Sequence, residues 1–275
     1  MKRRISKIIV YFILISLSLA FFFPLYWMIR TALSTTADVF TKDIKIFPST
    51  IVFTNYIKAF QSSPFIKFFF NTVIITVLNI VGAVITSSLC AFGFSRLDWP
   101  GRDKVFGILM TALMVPYAVL IIPHFVGWSY LHLTDTFAPL IVPAFFGGGL
   151  FNIFLLRQFF MGIPKELDEA AYIDGASSFQ IYLKVILPLS KQSLIVVGLL
   201  TFLTNWNDYM APLIYLSSEK NFTLMLGLNQ FIGGYNSQWE LMMAAATIVI
   251  IPSLIIYMFA QKHFIEGIAM TGMKS

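Results

Sequence analysis

Charge is scarce in this 275-residue chain: 12% of its residues are Asp, Glu, Lys or Arg, about half the share of an ordinary soluble domain. Too little polar surface remains to coat a globule in water, which excludes a soluble enzyme, a disordered tail and a fibrous chain. Cysteine is scarcer still. Cys90 stands alone in an apolar run, so there is no intrachain disulfide framework and no cysteine metal site. Low-complexity tracts and strong internal repeats are also missing, including the inverted halves seen in many secondary transporters. What is abundant is apolar surface: 58% of residues are hydrophobic and the mean hydropathy is +0.81. The natural solvent for such a chain is a bilayer.

A membrane-crossing helix needs about 20 mostly apolar residues. Six stretches qualify: Ile8–Ile29, Phe68–Phe94, Val105–Trp128 (interrupted by Pro116 and Pro123), Phe137–Leu156, Leu194–Leu216 and Leu241–Ala260. The apolar run of the first is too long for the core of a cleaved signal peptide, so it reads as a retained span. Inside a bilayer the backbone must satisfy its own hydrogen bonds, so the expected fold is an all-α integral membrane bundle of six helices. Basic residues set the orientation. With the N-terminus inside, Lys2, Arg3, Arg4, Lys7, Arg96, Arg102, Lys104, Arg157, Lys165, Lys184, Lys191, Lys262 and Lys274 fall on the inner side; the outer side holds Arg30, Lys42, Lys45, Lys58, Lys67 and Lys220. Both termini are therefore expected in the cytoplasm of a cell-membrane protein. The same scatter removes a nucleic-acid partner, despite a net charge of +6, because no single basic stripe with interleaved aromatics exists. Two connections are long: residues 34–66 outside and 157–193 inside. Residues 1–67 read as a first helix plus an outer segment, and 68–275 as a core of five spans.

Ionisable groups within spans mark ion or proton pathways, and here only His124, near an outer border, and Asp208, in the fifth span, qualify. That is a thin relay for a proton-coupled pump, so energy for uphill transport must come from outside the chain. Nor does the chain carry its own ATP site. The nearest approach to a phosphate loop is Gly267-Ile-Ala-Met-Thr-Gly272-Met-Lys274-Ser275, where Met273 intrudes before the lysine and no helix follows. No metalloprotease motif, nucleophile elbow or paired catalytic carboxylates appear, so no catalytic or metal-ligating residue is expected. Asn221-Phe222-Thr223 matches a glycosylation triplet of a kind that is common by chance.

The inner segment is the most informative. Pro164 suits a first helical position, and Glu166, Asp168 and Glu169 crowd the first turns, where the helix dipole favours negative charge. Gly175 is placed to stop the helix with a left-handed residue. Ser177 and Gln180 are spaced for a capping box opening a second short helix, which Pro188 is expected to end. Leu167, Ala170, Ala171 and Asp174 lie three or four apart and share a face. The two alanines make a low spot that another protein can approach closely.

The stretch Glu169-Ala170-Ala171-x-x-Asp174-Gly175-Ala176, followed by Ile186-Leu187-Pro188, resembles the EAA loop of ABC-importer permeases. The resemblance implies a type I permease fold in which this loop is a coupling helix docked into a separate ATPase subunit. Glu169 would meet a basic ATPase residue, Ala170 and Ala171 would permit close approach, and Gly175 would make the turn, with Asp174, Leu187 and Pro188 completing the motif. Further stretches are similar to the sugar-permease subfamily typified by the smaller maltose permease subunit: Phe47-Pro48-Ser49 with Asn55-Tyr56, Asn71-Thr72 opening the second span, Ala91-Phe92-Gly93-Phe94-Ser95-Arg96-Leu97-x-x-Pro100-Gly101-Arg102, Met114-Val115-Pro116 with Ile122-Pro123, and Trp206-Asn207-Asp208-Tyr209 with Pro212-Leu213. The likeness runs from about Pro48 to the C-terminus, where the Gly267–Lys274 tail also resembles the family's end. Lys191 departs from it, standing where many relatives have a proline.

This resemblance implies partners: a second permease subunit, two ATPase subunits that carry ATP and magnesium, an extracytoplasmic solute-binding protein touching segments such as Ser34–Ile66 and Ser217–Glu240, and membrane lipid. The chain itself binds no cofactor and is no enzyme. The solute is expected to be a sugar or oligosaccharide; a polyol or glycerol phosphate stays open, as does an ion-coupled secondary transporter. Asn205, Trp206, Asn207 and Asp208 form the one strongly polar cluster inside a span. They read either as lining for a solute path or as interhelical glue, with Asn207, on the side of Met210 and Ile214, as a path candidate.

Overall fold

The computed structural model describes residues 2–43, 45–232 and 237–272. Lys274 and the last residues of the Gly267–Lys274 tail lie outside the described residues. The elements are α1 (Lys2–Ala32), α2 (Thr36–Val39), α3 (Thr54–Gln61), α4 (Phe65–Ser95), α5 (Arg102–Thr111), α6 (Tyr117–Tyr130), α7 (Ala138–Ile141), α8 (Leu150–Met161), α9 (Glu166–Ile173), α10 (Ser178–Ile181), α11 (Leu187–Leu189), α12 (Lys191–Trp206), α13 (Met210–Tyr215), α14 (Leu224–Asn229) and α15 (Trp239–Gly272). Among the described residues there is no strand, as an all-helical membrane fold requires. Ser6–Ala32, Phe65–Ser95, Ala138–Met161 and Trp239–Gln261 are each long and apolar enough to cross a membrane, and two bent helix pairs bring the number to six if each pair is one span.

The chain divides into two compact units, Met1–Ile66 with Leu226–Pro252, and Lys67–Met225 with Ser253–Ser275. In the first, Asn55 donates its amide to the carbonyls of Ala32 and Ser34, at 2.9 and 2.8 Å, and so caps the end of α1. Thr36 donates to Glu240 at 2.7 Å, and Phe65 stacks on Phe231 with centroids 5.6 Å apart. From Ile8 to Phe23 the apolar side chains of α1 remain exposed, Phe21 to 81%, as suits a helix bathed in lipid or covered by another subunit.

In the second unit α4 is the axis, and the spans around it are broken. Arg102–Met114 and Tyr117–Tyr130 meet at 97°. The cause is Pro116, which holds Val115 extended (φ −78°, ψ 115°) and starts α6, whereas Pro123 sits inside α6 without ending it. The fourth span is not the continuous helix read from the sequence. Gly147, Gly148 and Gly149 have φ of 95°, 65° and 96°, and they separate α8 from a short 3-10 turn, Val142–Phe145, that follows α7. A Cβ on Gly148 would lie 2.5 Å from the carbonyl oxygen of Ala83, so only glycine lets this turn touch α4. The fifth span also departs from the expectation: α12 stops at Trp206 and the chain restarts as α13.

At the break in the fourth span and in the segment after α13, α4 supplies donors for backbone carbonyls. Asn79 donates to Leu140 O at 2.9 Å, and the Thr86 hydroxyl to Ala144 O at 3.0 Å. Asn71 donates to Lys220 O and Phe222 O at 3.0 and 2.9 Å, and Thr72 accepts from the Leu224 amide at 2.9 Å. Asn71 and Thr72 therefore lie well inside α4, which begins at Phe65, and do not open the span.

Opposite this clamp, Asp135 (φ 59°) gathers the segment after α13. Its carboxylate accepts from the amides of Ser217 and Ser218 at 3.0 and 2.9 Å and from the Ser218 hydroxyl. These donors, the Ser218 hydroxyl foremost, hold the carboxyl well below the usual carboxylate range. A depressed acid contributes stability while ionised and loses it as pH falls through its folded-state value. Asp135→Ala is thus expected to lower the thermal midpoint at pH 7, with the gap from wild type closing as pH drops below about 4; a gap independent of pH would contradict this role for the carboxylate.

Candidate functional site: the α9 face and the polar break after α12

The residues between α8 and α12 fold much as their chemistry dictates. Pro164 falls just before α9, which starts at Glu166, two residues later than a first-position proline would have it. At the other end the Ala176 amide reaches Ala171 O at 2.9 Å and the Gly175 amide reaches Tyr172 O at 3.0 Å. This is the paired closure that a left-handed residue permits, and Gly175 has φ 82°. Ser177 and Gln180 form the capping box, with bonds of 3.3 and 2.8 Å in the two directions.

Beyond α10 the structure corrects the expectation. Pro188 does not end the second helix; it lies within α11. Proline offers no N–H to the carbonyl four residues back, and the chain absorbs this with a π-helical stretch, Tyr182–Ile186, closed by the Leu187 amide on Tyr182 O. The turn comes at Ser190, where Ser178–Leu189 and Lys191–Trp206 meet at 79°. An exposed Lys191 opens α12 there. Nor is this segment all solvent-facing. Ile181, Tyr182 and Ile186 are buried with Ala91, Phe92, Leu156, Phe160 and Val197, and the Tyr182 and Ser88 hydroxyls are 2.7 Å apart.

The motif residues therefore divide between two faces. Glu169, Ala170, Asp174, Gly175 and Pro188 are exposed, as are Leu167 and Ile173, the latter to 86%. Ala171 and Leu187 pack instead against the core just described. The inward face of α9 also carries Asp168, three residues before Ala171 and buried. Its carboxylate lies 3.2 Å from Arg96 Nη1, and burial raises its pKa despite the adjacent guanidinium. Arg96 and Asp168 were visible in the sequence only as a border cation and a first-turn acid. The usable signal was the i,i+3 spacing of Asp168 and Ala171, which marks one side of the helix.

The polar cluster after α12 is split as well. A cavity of about 200 Å³ is lined by Asn205 and Asp208 together with Thr72, Tyr117, His124 and Trp128. Asp208 also accepts from the Ala211 amide at 3.2 Å, capping α13. Trp206 is buried, stacked on Phe202 at 5.3 Å and edge-on to Phe69 at 5.9 Å. Asn207 is exposed, donates to Leu203 O at 2.8 Å and is not among the cavity residues. The break between α12 and α13 also removes the continuous helix face that Asn207, Met210 and Ile214 would have shared.

A bundle of broken apolar helices around a largely apolar cavity with a few polar groups, and a short half-apolar helix at one end, is the build of a membrane permease. The chain belongs to the family described as binding-protein-dependent transport system inner membrane component, whose profile matches residues 83–269. It is similar to the arabinooligosaccharides transport system permease protein AraQ of Halalkalibacterium halodurans, 31% identical with all of both chains covered. It is also similar to the probable starch degradation products transport system permease protein AmyC of Thermoanaerobacterium thermosulfurigenes, 32% identical with 97% of each chain covered. Among solved structures it resembles a chain of a bacterial ABC transporter involved in the import of the acidic polysaccharide alginate, with a TM-score of 0.82, 26% identity and coverage of 95% of this chain and 97% of that one. The protein is thus a multi-pass inner-membrane permease subunit of an ABC importer, and not an enzyme.

The turn at Gly175 is directly testable. A β-carbon in the left-handed region costs about 1–2 kcal/mol, which shifts a local opening equilibrium about 5–30-fold. Gly175→Ala is expected to speed tryptic cleavage at the exposed Lys165 and Lys184 by that factor. Unchanged cleavage would mean the closure contributes nothing to order in the loop.

Proposed function

We propose that the chain is a permease subunit for a sugar or oligosaccharide, oriented with both termini in the cytoplasm. In this reading α9 presents Glu169, Ala170, Asp174 and Gly175 to a separate ATPase subunit, which binds ATP and magnesium. The carrying observation is the separation of faces on α9: Glu169, Ala170, Asp174 and Gly175 are exposed while Asp168 and Ala171 face the core, leaving a shallow patch that a second protein can cover. A second permease chain completes the pathway, two ATPase subunits lie on the cytoplasmic side, and an extracytoplasmic binding protein delivers solute. Basic residues concentrated on the α9 side support this orientation. The names of AraQ and AmyC support a carbohydrate. So does the cavity, whose lining combines Asn205 and Asp208 with Tyr117 and Trp128, the mixture that a polyhydroxylated, partly apolar solute requires.

Expression of the importer followed by gentle purification tests the docking: Glu169→Lys and Gly175→Pro are expected to insert normally and to lose the ATPase subunit. Full retention in both would remove α9 from the interface. For the path, uptake across arabino- and malto-oligosaccharides is the measurement. Asn205→Ala and Asp208→Asn are expected to raise KM about 2–10-fold, the value of one hydrogen bond, and Asn207→Ala to leave it near wild type. The reverse pattern would place the solute on the exposed side of α12.

A further inference from the structure

Two arginines at the α9 end of the second unit are bound to each other's helices. Arg96 follows the last residue of α4, and its side chain is 3% exposed. Its Nη2 donates to the carbonyls of Phe160 and Ile163, both at 2.7 Å, at the end of α8. Arg157, on α8, returns the contact: its Nε donates to Phe94 O, at the end of α4, at 3.1 Å. The Arg157 guanidinium also lies 4.1 Å from the Phe106 ring centroid and 3.0 Å from Asp103. Each helix therefore has carbonyls at its C-terminal end contacted by a cation from the other, and the two ends form one block. The fork of Arg96 reaches one thing more, Asp168 on the inward face of α9.

We propose that the Arg96–Asp168 pair is the strut through which displacement of α9 reaches α4 and α8, making Arg96 and Asp168 positioning residues for transport and not part of the ATPase contact. The proposal rests on the reading of α9 as the ATPase-docking helix. Asp168 points away from the exposed Glu169 and Ala170, so it is unavailable to a docked partner. A planar guanidinium holds these three acceptors on two helices in a fixed fork; a lysine ammonium gathers its three donors on one compact head at the end of a flexible stem. The joint also has capacity in reserve. Arg96 Nε and Asp168 Oδ1 are both buried without a hydrogen-bond partner, so a shift of α9 can bring another donor and acceptor of the same ion pair together instead of separating it.

The test uses the complete importer in proteoliposomes, with Cys90→Ala as background and Asn205→Cys as a reporter in the cavity. The readouts are ATPase co-purification, ATP hydrolysis, and the rate at which a membrane-impermeant methanethiosulfonate labels Asn205→Cys with and without ATP and magnesium. In the parent, ATP is expected to change the labelling rate at least about 5-fold, the scale of coupling between sites. In Asp168→Asn the complex is expected to keep its ATPase subunit and hydrolyse ATP, while the ATP-dependent change in labelling disappears. Asp168→Glu should restore it. Arg96→Lys, which keeps the charge and loses the fork, should show the same loss and serves if Asp168→Asn fails to insert. Parent-like ATP dependence in the variants overturns the strut. Loss of the ATPase subunit from them also overturns it, because the pair would then belong to docking. A parent whose labelling ignores ATP overturns the function on which the proposal stands.

Discussion

A carbonyl released inside an apolar bundle must find a donor, and this requirement organises the structure. Water is not there to accept the debt. In the interrupted fourth span the carbonyls of Leu140 and Ala144 are met by Asn79 and Thr86 of α4, and Asn71 meets those of Lys220 and Phe222 in the segment after α13. Composition alone would treat these polar residues as blemishes in an otherwise apolar helix. In the fold they are what allows neighbouring helices to break. Where no side chain could fit, proximity takes over: Gly148 brings its turn against the Ala83 backbone.

The same rule governs the end of the unit, with charge added. Arginines replace amides there because the carbonyls at two helix ends carry the negative pole of the macrodipole. Arg96 and Arg157 each meet the other helix's terminus. This turns two loose helix ends into a platform on which α9 is mounted by Asp168, by the packing of Ala171 and by its glycine closure. In the proposed arrangement, a partner pressing on the outer face of α9 presses on that platform.

Much of this was legible beforehand. The apolar runs, the all-helical class, the left-handed Gly175 and the Ser177–Gln180 box followed from short-range rules, because caps and hydropathy depend on residues within a few positions. Breaks were harder to see. Pro116 was an evident interruption, but the Gly147–Gly149 turn and the end of α12 at Trp206 depend on what α4 offers across space, and hydropathy averages over such details. Pro188 misled for a related reason: proline ends a helix only if the chain has no other register, and a π stretch supplied one. Ala170 and Ala171, read from their spacing as one exposed low spot, divide outward and inward, because α9 lies against the core along the Asp168–Ala171 side. The assignment of Asp168 to Arg96, seventy-two positions away, needed the fold. Asn205 and Asp208 reach a common cavity while Trp206 and Asn207 between them do not, a distribution that follows from the helix ending between them.

The donors on α4 all precede their acceptors in the chain. Asn71, Asn79 and Thr86 are synthesised before Leu140, Ala144, Lys220 and Phe222. Since polypeptides are made from the N-terminus onward, the segments that carry these four carbonyls leave the ribosome after the helix whose side chains meet them. A reversed order of these elements would strand every broken segment with nothing to complete it until a later helix was made. The direction of translation is thus built into which helix is whole and which are fractured.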